Sequence, residues 1–161
     1  MATGALLPVL AALRGRQLVA IDDGAHIPEV QVAALRTVPF LAVLPLQRLE
    51  ALAGASVRVE LQPGATLFER GDAGDRFYVL DEGALEIALP EGTKREEAPA
   101  YVGEIALLRD VPRTATVRSS GPARLWAVDR GAFLEAVTGH ARSNASADAV
   151  VISRVGLAST I

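Results

Sequence analysis

From about residue 56 the apolar residues stop recurring at helical spacing and begin to alternate, and short alternating runs then follow one another through glycine-rich turns. This change of period constrains the fold more than any other feature of the chain. Val57, Val59 and Leu61 alternate with Arg58, Glu60 and Gln62, the pattern of a strand with one buried face. Pro63-Gly64 is a turn and Thr66–Glu69 a short strand. Gly71-Asp72-Ala73-Gly74-Asp75 is a turn-dense connection, read as a plain turn because it lacks the alternating oxygen ligands and closing Glu of a calcium loop. Phe77–Leu80 and Leu85–Ala88 read as strands about a Glu82-Gly83 turn, and Ala115–Val117 and Arg124–Val128 as two more. Pro90–Ala98 is polar and charged, which predicts an exposed loop. Many short strands at this spacing indicate a small barrel or jelly roll.

Helical patterns flank this region. Leu6–Leu13 is an apolar run, followed by a linker carrying Asp22 and Asp23. Pro28 suits a first helical position, with Glu29 complementing the dipole and Val30, Val32, Ala33 and Leu35 as the expected buried side, to a stop at Pro39. Pro45 opens another helix, with Leu46, Leu49, Leu52 and Ala53 at helical spacing. After the strands, Asp129 is an expected N-cap for Arg130–Val137, and Gly139 a stop. Ser143 or Asn144 is the expected cap of a last helix to about Val155, whose stripe is Ala147, Val150, Val151 and Val155.

Composition removes whole classes of function. The 161 residues contain no cysteine, so disulfides, thiolate metal sites and thiol nucleophiles are excluded. Two histidines, His26 and His140, are too few for a His-rich metal site, and the strands carry none, which argues against a metal-dependent barrel enzyme. A net charge of -3 disfavours a general grip on nucleic acid. The longest apolar run, Ala5–Leu13, is far short of the roughly 20 residues that cross a bilayer. These readings place the chain in the cytoplasm as a domain without catalytic or metal chemistry.

One stretch carries a chemical signature: Gly103-Glu104-Ile105-Ala106-Leu107-Leu108-Arg109-Asp110-Val111-Pro112-Arg113-Thr114-Ala115-Thr116-Val117. Residues 104–109 suit one short helical turn whose first N–H groups, from Ile105 and Ala106, lack intrahelical partners. Gly103 permits close backbone approach, Arg113 offers a planar fork for a phosphate, and Glu104 offers a carboxylate to a hydroxyl. Taken singly, Glu104 complements a helix dipole, Arg113 lies on a surface and Gly103 makes a turn. Together at this spacing the segment resembles the phosphate-binding cassette of the cyclic-nucleotide-binding domain family. Gly71–Val79 and Gly83 resemble the hairpin that precedes it, and the resemblance covers roughly residues 37–139.

The resemblance implies an α+β fold: an eight-stranded antiparallel β-barrel or jelly roll (a double-stranded β-helix) flanked by N- and C-terminal helices. Residues 1–36 would be a helical segment and linker, 37–139 the β-roll with its cassette at 103–117, and 140–161 a C-terminal helix acting as a lid. The ligand would be a cyclic nucleotide, cAMP or cGMP, held by Gly103, Glu104, Ile105, Ala106, Arg113, Thr114 and Ala115. Glu104 would accept the ribose 2′-hydroxyl and Arg113 would hold the phosphate. Thr114 bears on purine choice, since Thr after the cassette Arg often accompanies cGMP, although some such domains respond to cAMP. Val150, Val151 and Val155 would close over the purine, and Arg154 would stack on or bond the base. The sequence departs from the family at Pro99-Ala100-Tyr101-Val102, where Gly-Asp and an aromatic usually precede the Gly-Glu pair, and at Glu91–Ala98, which lacks the usual Gly turn.

Ile27-Pro28-Glu29-Val30 and Val137–Ser143 resemble the ends of cytoplasmic domains that follow bacterial major-facilitator-type transporters. That likeness implies a regulatory domain switching a fused or partner effector, with Leu6–Leu13 as the end of a membrane helix or as a helix packed on the barrel. A homodimer through the terminal helices is a further expectation. The rival reading is a degenerate barrel that binds no nucleotide and serves as an interaction module.

Overall fold

In a computed structural model, residues 19–21 and 29–158 are described, and Leu6–Leu13 lies outside them. In chain order the elements are β1 (Val19–Ile21), α1 (Glu29–Arg36), α2 (Pro39–Ala42), α3 (Leu46–Gly54), β2 (Val57–Leu61), β3 (Thr66–Phe68), β4 (Arg76–Glu82) and β5 (Ala84–Leu89). They continue as β6 (Gly92–Glu97), β7 (Ala100–Val102), α4 (Glu104–Leu108), β8 (Thr116–Ser119), β9 (Ala123–Asp129), α5 (Arg130–Thr138) and α6 (Ala141–Ala158). One sheet runs β1-β2-β9-β4-β7 and the other β3-β8-β5-β6. The ladders in both sheets are antiparallel. Strands β2–β9 are the expected eight of the jelly roll.

The alternation of side chains across β4 and β9 builds two cores at once. Tyr78 and Leu80, with Leu125 and Ala127, join Leu67, Phe68, Leu85 and Val117 of the second sheet between the two inner faces. Phe77 and Val79, with Trp126 and Val128, face the helices instead. Strands buried on both faces have no polar side, which is why Phe77–Leu80 reads as an unbroken apolar run. The helix-side core is aromatic: Phe77 stacks on Phe133 at 4.6 Å, and Phe40 meets Tyr101 edge-on at 5.5 Å. Such pairs add about 0.5–1.5 kcal/mol each beyond area burial.

Several expectations are corrected. Val19–Ile21, expected in a linker, is a strand paired with β2. The expected loop Pro90–Ala98 contains β6, which pairs with β5 from Ala84↔Glu97 to Leu89↔Gly92. All of β6 except the half-buried Glu96 is exposed, so neither face imposes an apolar period and the strand is invisible to that signal. On α1 the buried pair is Ala34 and Leu35, whereas Val30 and Ala33 are exposed. Pro39, expected only as a stop, also opens α2, which carries the buried Phe40 and Leu41. Leu46 of α3 is exposed, while Leu49, Leu52 and Ala53 are buried as expected.

The last helices settle the C-terminal side. Asp129 caps α5 as expected, accepting from Ala132 N–H at 3.0 Å. Helix α6 begins earlier than expected, and neither Ser143 nor Asn144 caps it. His140 Nδ1 accepts the Ser143 N–H at 3.3 Å, the geometry of an N-cap. Ser143 is fully buried and its hydroxyl donates to the Phe40 carbonyl at 2.6 Å. Ala147 and Val151 are buried in the same helix-side core and Val150 packs against it, so most of the expected purine-closing stripe is spent docking α6. Val155 is exposed.

Candidate functional site

Gly103 leaves β7 and enters α4 at φ 96°, a left-handed conformation that suits glycine. A Cβ there would lie 2.6 Å from Arg113 Nη1 and 3.0 Å from the Arg76 carbonyl oxygen. The missing side chain therefore gives the guanidinium its place against the backbone. The loop between β3 and β4 supports the same point from below. Gly74 is close enough to α4 that a Cβ would meet the Ala106 Cβ at 2.7 Å. Gly71 N–H donates to the Arg113 carbonyl and Arg113 N–H to the Asp72 carbonyl, each at 2.8 Å. This reciprocal pair zips the two loops together and fixes where the Arg113 side chain starts. Arg130, at the start of α5, donates to Asp110 at 2.6 Å and to the Gly74 carbonyl at 3.2 Å, tying both loops to the helix.

Arg113 is 2% exposed. Its guanidinium donates from Nη1 to the Gly103 carbonyl at 3.2 Å and from Nη2 to the Arg76 carbonyl at 2.7 Å. Asp75 supplies an ion pair at 3.4 Å, and the Phe68 ring lies 4.2 Å beneath the guanidinium. Burial lowers its pKa, opposed by the fields of Tyr78 and Asp75. Nε is buried without a hydrogen-bond partner.

Glu104 is 1% exposed, at the first position of α4. One carboxylate oxygen accepts from Arg154 Nη1 at 2.5 Å, while the other, Oε2, is buried without a partner. Burial pushes the carboxyl above its ordinary value of 4.5, and the Arg154 charge pulls it back only in part. Arg154 comes from α6. It lies over the Tyr101 ring at 4.3 Å and donates to the Tyr101 carbonyl at 3.3 Å. Burial likewise raises the Tyr101 pKa.

The structure thus brings Gly103, Glu104 and Arg113 together. Ile105 is half-buried on α4, Ala106 is buried against the Gly74 loop, Ala115 is buried just before β8, and Thr114 is exposed. Arg154, expected at a base, engages Glu104 and Tyr101. Asp75, read as a turn residue, is the carboxylate partner of Arg113, and Asp72 accepts from the Glu69 N–H at 2.9 Å within that turn. Among the described residues no cluster of His, Cys, Asp and Glu could hold a metal ion, and no helix is long and apolar enough to cross a membrane. Chemically, the site pairs a buried cation that can only donate with a buried carboxylate that, when ionised, can only accept. Each keeps one unsatisfied atom, an arrangement suited to a ligand carrying an anion beside a hydroxyl.

Comparison with known proteins identifies the family. The model of a family described as the cyclic nucleotide-binding domain matches residues 58–140. An uncharacterized protein of Mycobacterium tuberculosis is 37% identical over 118 residues, 70% of this chain and 23% of its own length. The acetyltransferase Pat of Mycolicibacterium smegmatis is 35% identical, over 68% of this chain and 34% of its own. A Drosophila melanogaster cAMP-dependent protein kinase type II regulatory subunit is 30% identical, over 63% and 27%. The chain therefore spans from 23% to 34% of these relatives' length. Among solved structures, the regulatory domain of Toxoplasma gondii PKA with cAMP superposes with a TM-score of 0.67 at 24% identity, covering 77% of this chain and 50% of that one. The regulatory subunit of a cAMP-independent protein kinase A from Trypanosoma brucei gives 0.63 at 22% identity, over 68% and 41%.

Proposed function

The chain belongs to the cyclic nucleotide-binding domain family, and on that premise we propose that Glu104 and Arg113 hold a purine 3′,5′-cyclic nucleotide, cAMP or cGMP. The observation that carries this reading is the pair of buried, unpartnered atoms in one cassette, Glu104 Oε2 and Arg113 Nε. A buried polar atom without a partner costs about 1–3 kcal/mol, so each stores a gain for a complementary ligand. The phosphate accepts from Arg113, the ribose 2′-hydroxyl donates to Glu104, and Gly103, Ile105, Ala106, Thr114 and Ala115 form the surrounding wall.

Both charged side chains are covered in this structure, so ligand entry requires a local opening. That makes the domain a switch in which ligand favours one of two arrangements of the cassette and its covering helix α6, the lid in this reading. A ligand shifts such an equilibrium only by its differential affinity for the two states. The effector is a fused or partner domain on the cytoplasmic side of the membrane. The attachment to a transporter rests on the likeness of the chain ends alone, and the relatives named above include an acetyltransferase and a kinase regulatory subunit. A second reading, a ligand-free interaction module, is favoured by Arg113 Nη1 and Nη2, which already donate to two backbone carbonyls.

Calorimetric titration of the nucleotide-free chain with cAMP, cGMP and linear 5′-AMP decides between them. The proposal expects saturable binding of a cyclic nucleotide with 5′-AMP bound more weakly, because the linear dianion does not fit the same Glu–Arg spacing. Absence of binding by both cyclic nucleotides leaves the module reading.

A further inference from the structure

We propose that the hollow between α1 and the end of β4 is an intramolecular docking groove whose occupant is the chain's own apolar segment Leu6–Leu13, with Arg14 and Arg16 directed to the groove's carboxylates. The inference is independent of the nucleotide reading, and the segment lies outside the described residues. The hollow has a volume of about 430 Å³ and is lined by Glu29, Val30, Ala33, Ala34, Thr37 and Asp81. Val30, Ala33 and Thr37 recur at i, i+3 and i+7, the spacing by which a helix offers one stripe to a second apolar segment. Val30 is 56% exposed although it belongs to the apolar pattern of α1.

Charge and chain path select the occupant. Asp81 is the extra residue of a bulge, where β4 sets Asp81 and Glu82 against Arg124 of β9. Arg124 engages Asp81 at Oδ2, from Nε at 3.0 Å and Nη2 at 2.8 Å. Among the described residues Glu29 has no ion-pair partner. The groove therefore suits an apolar segment that carries cations at one end. Leu6, Leu10 and Leu13 recur at i, i+4 and i+7, Arg14 and Arg16 follow them, and no acidic residue precedes Asp22. The sheet delivers this segment to the right place. Val19 pairs with Glu60, Glu60 with Arg124 and Arg124 with Glu82, one row across β1, β2, β9 and β4. Three interstrand steps amount to about 14 Å. The five residues 14–18 can span about 17 Å. Leu13 therefore reaches the Asp81 end of the groove without displacing β1.

The chain contains no cysteine, so introduced cysteine pairs report contact without background. The test oxidises the dilute 161-residue chain carrying Leu10→Cys with Val30→Cys. The reference is Leu10→Cys with Thr93→Cys, on the exposed strand β6. Non-reducing electrophoresis and peptide mass follow the disulfide. Docking raises the effective concentration at Val30, so that pair is expected to close at least about tenfold faster than the reference. Val30→Asp, at an exposed position where the core is left intact, is expected to release the segment and speed tryptic cutting after Arg14 and Arg16 severalfold. Equal closure rates for the two cysteine pairs overturn the proposal, as does unchanged cutting in Val30→Asp. Disulfide-linked dimers in place of the monomeric disulfide give the groove to a second copy and overturn it as well.

Discussion

The cassette and the β5–β6 hairpin are both dense in charge, yet they use it in opposite ways. In the hairpin, Lys94 pairs with Glu96 and Arg95 with Glu97, along an edge strand whose Lys94, Arg95 and Glu97 side chains are more than half exposed. Water screens these pairs, and they are worth about 0–1 kcal/mol. In the cassette, Glu104 and Arg113 are buried, and each has an unpaired polar atom. There every charge is either held by a named partner or paid for in desolvation. Charge that is tolerated on an edge is informative in a core, because only a function or a compensating network keeps it there.

The largest expected effect lies in the cassette. Arg113→Ala should weaken cyclic-nucleotide binding by roughly 30- to 900-fold, which corresponds to about 2–4 kcal/mol for charge-assisted bonds to the phosphate. Titration calorimetry reads it directly. Gly103→Ala comes next, with an expected loss of about 1–3 kcal/mol of stability in denaturant unfolding, because the left-handed backbone is strained and the Arg113 guanidinium must move. Both effects break the comparison if they are as small as those in the hairpin.

A pH series sharpens the contrast further. The folded Glu104 carboxyl has a pKa above its ordinary 4.5, so the native state binds that proton more tightly than the unfolded chain. Its contribution to stability is complete below 4.5 and is lost as pH rises through the raised value. Denaturant unfolding of wild type and Glu104→Gln across that window should show the variant with the flatter dependence. Over the same window wild-type nucleotide affinity should climb, since the ionised carboxylate is the better acceptor. The smallest effect belongs to the edge strand: Lys94→Ala should change stability by no more than about 0.5 kcal/mol and leave binding unaltered. A large change there would mean that β6 touches the site or a partner.

The same contrast explains what could be read from sequence. The jelly roll, the cassette helix, the Asp129 cap and the α3 stripe were legible because each writes itself in local spacing. The family was legible through the likeness of residues 103–117 to its cassette motif. Strand β6 was not, since a strand exposed on both faces has no alternation to display. The α1 face was misjudged because Val30 and Ala33 lie on the side turned away from Leu35. What Asp75 and Arg154 engage was beyond reach for a different reason, Arg154 having been expected at the base. Their partners are 38 and 50 positions distant, and nothing in the local pattern distinguishes a turn aspartate or a helix arginine that has such a partner from one that has none. His140 as the cap of α6 was similarly hidden, because imidazole is a rarer cap than the Ser and Asn that follow it.

The central claim is that the buried Glu104–Arg113 pair is a cyclic-nucleotide site. Its most direct test is parallel calorimetric titration of cAMP into the nucleotide-free wild-type chain and into Arg113→Ala, with circular dichroism confirming that both are folded. The account predicts saturable binding by the wild type and a loss of at least about tenfold in the variant. No binding by the folded wild type, or equal binding by the two proteins, would contradict it.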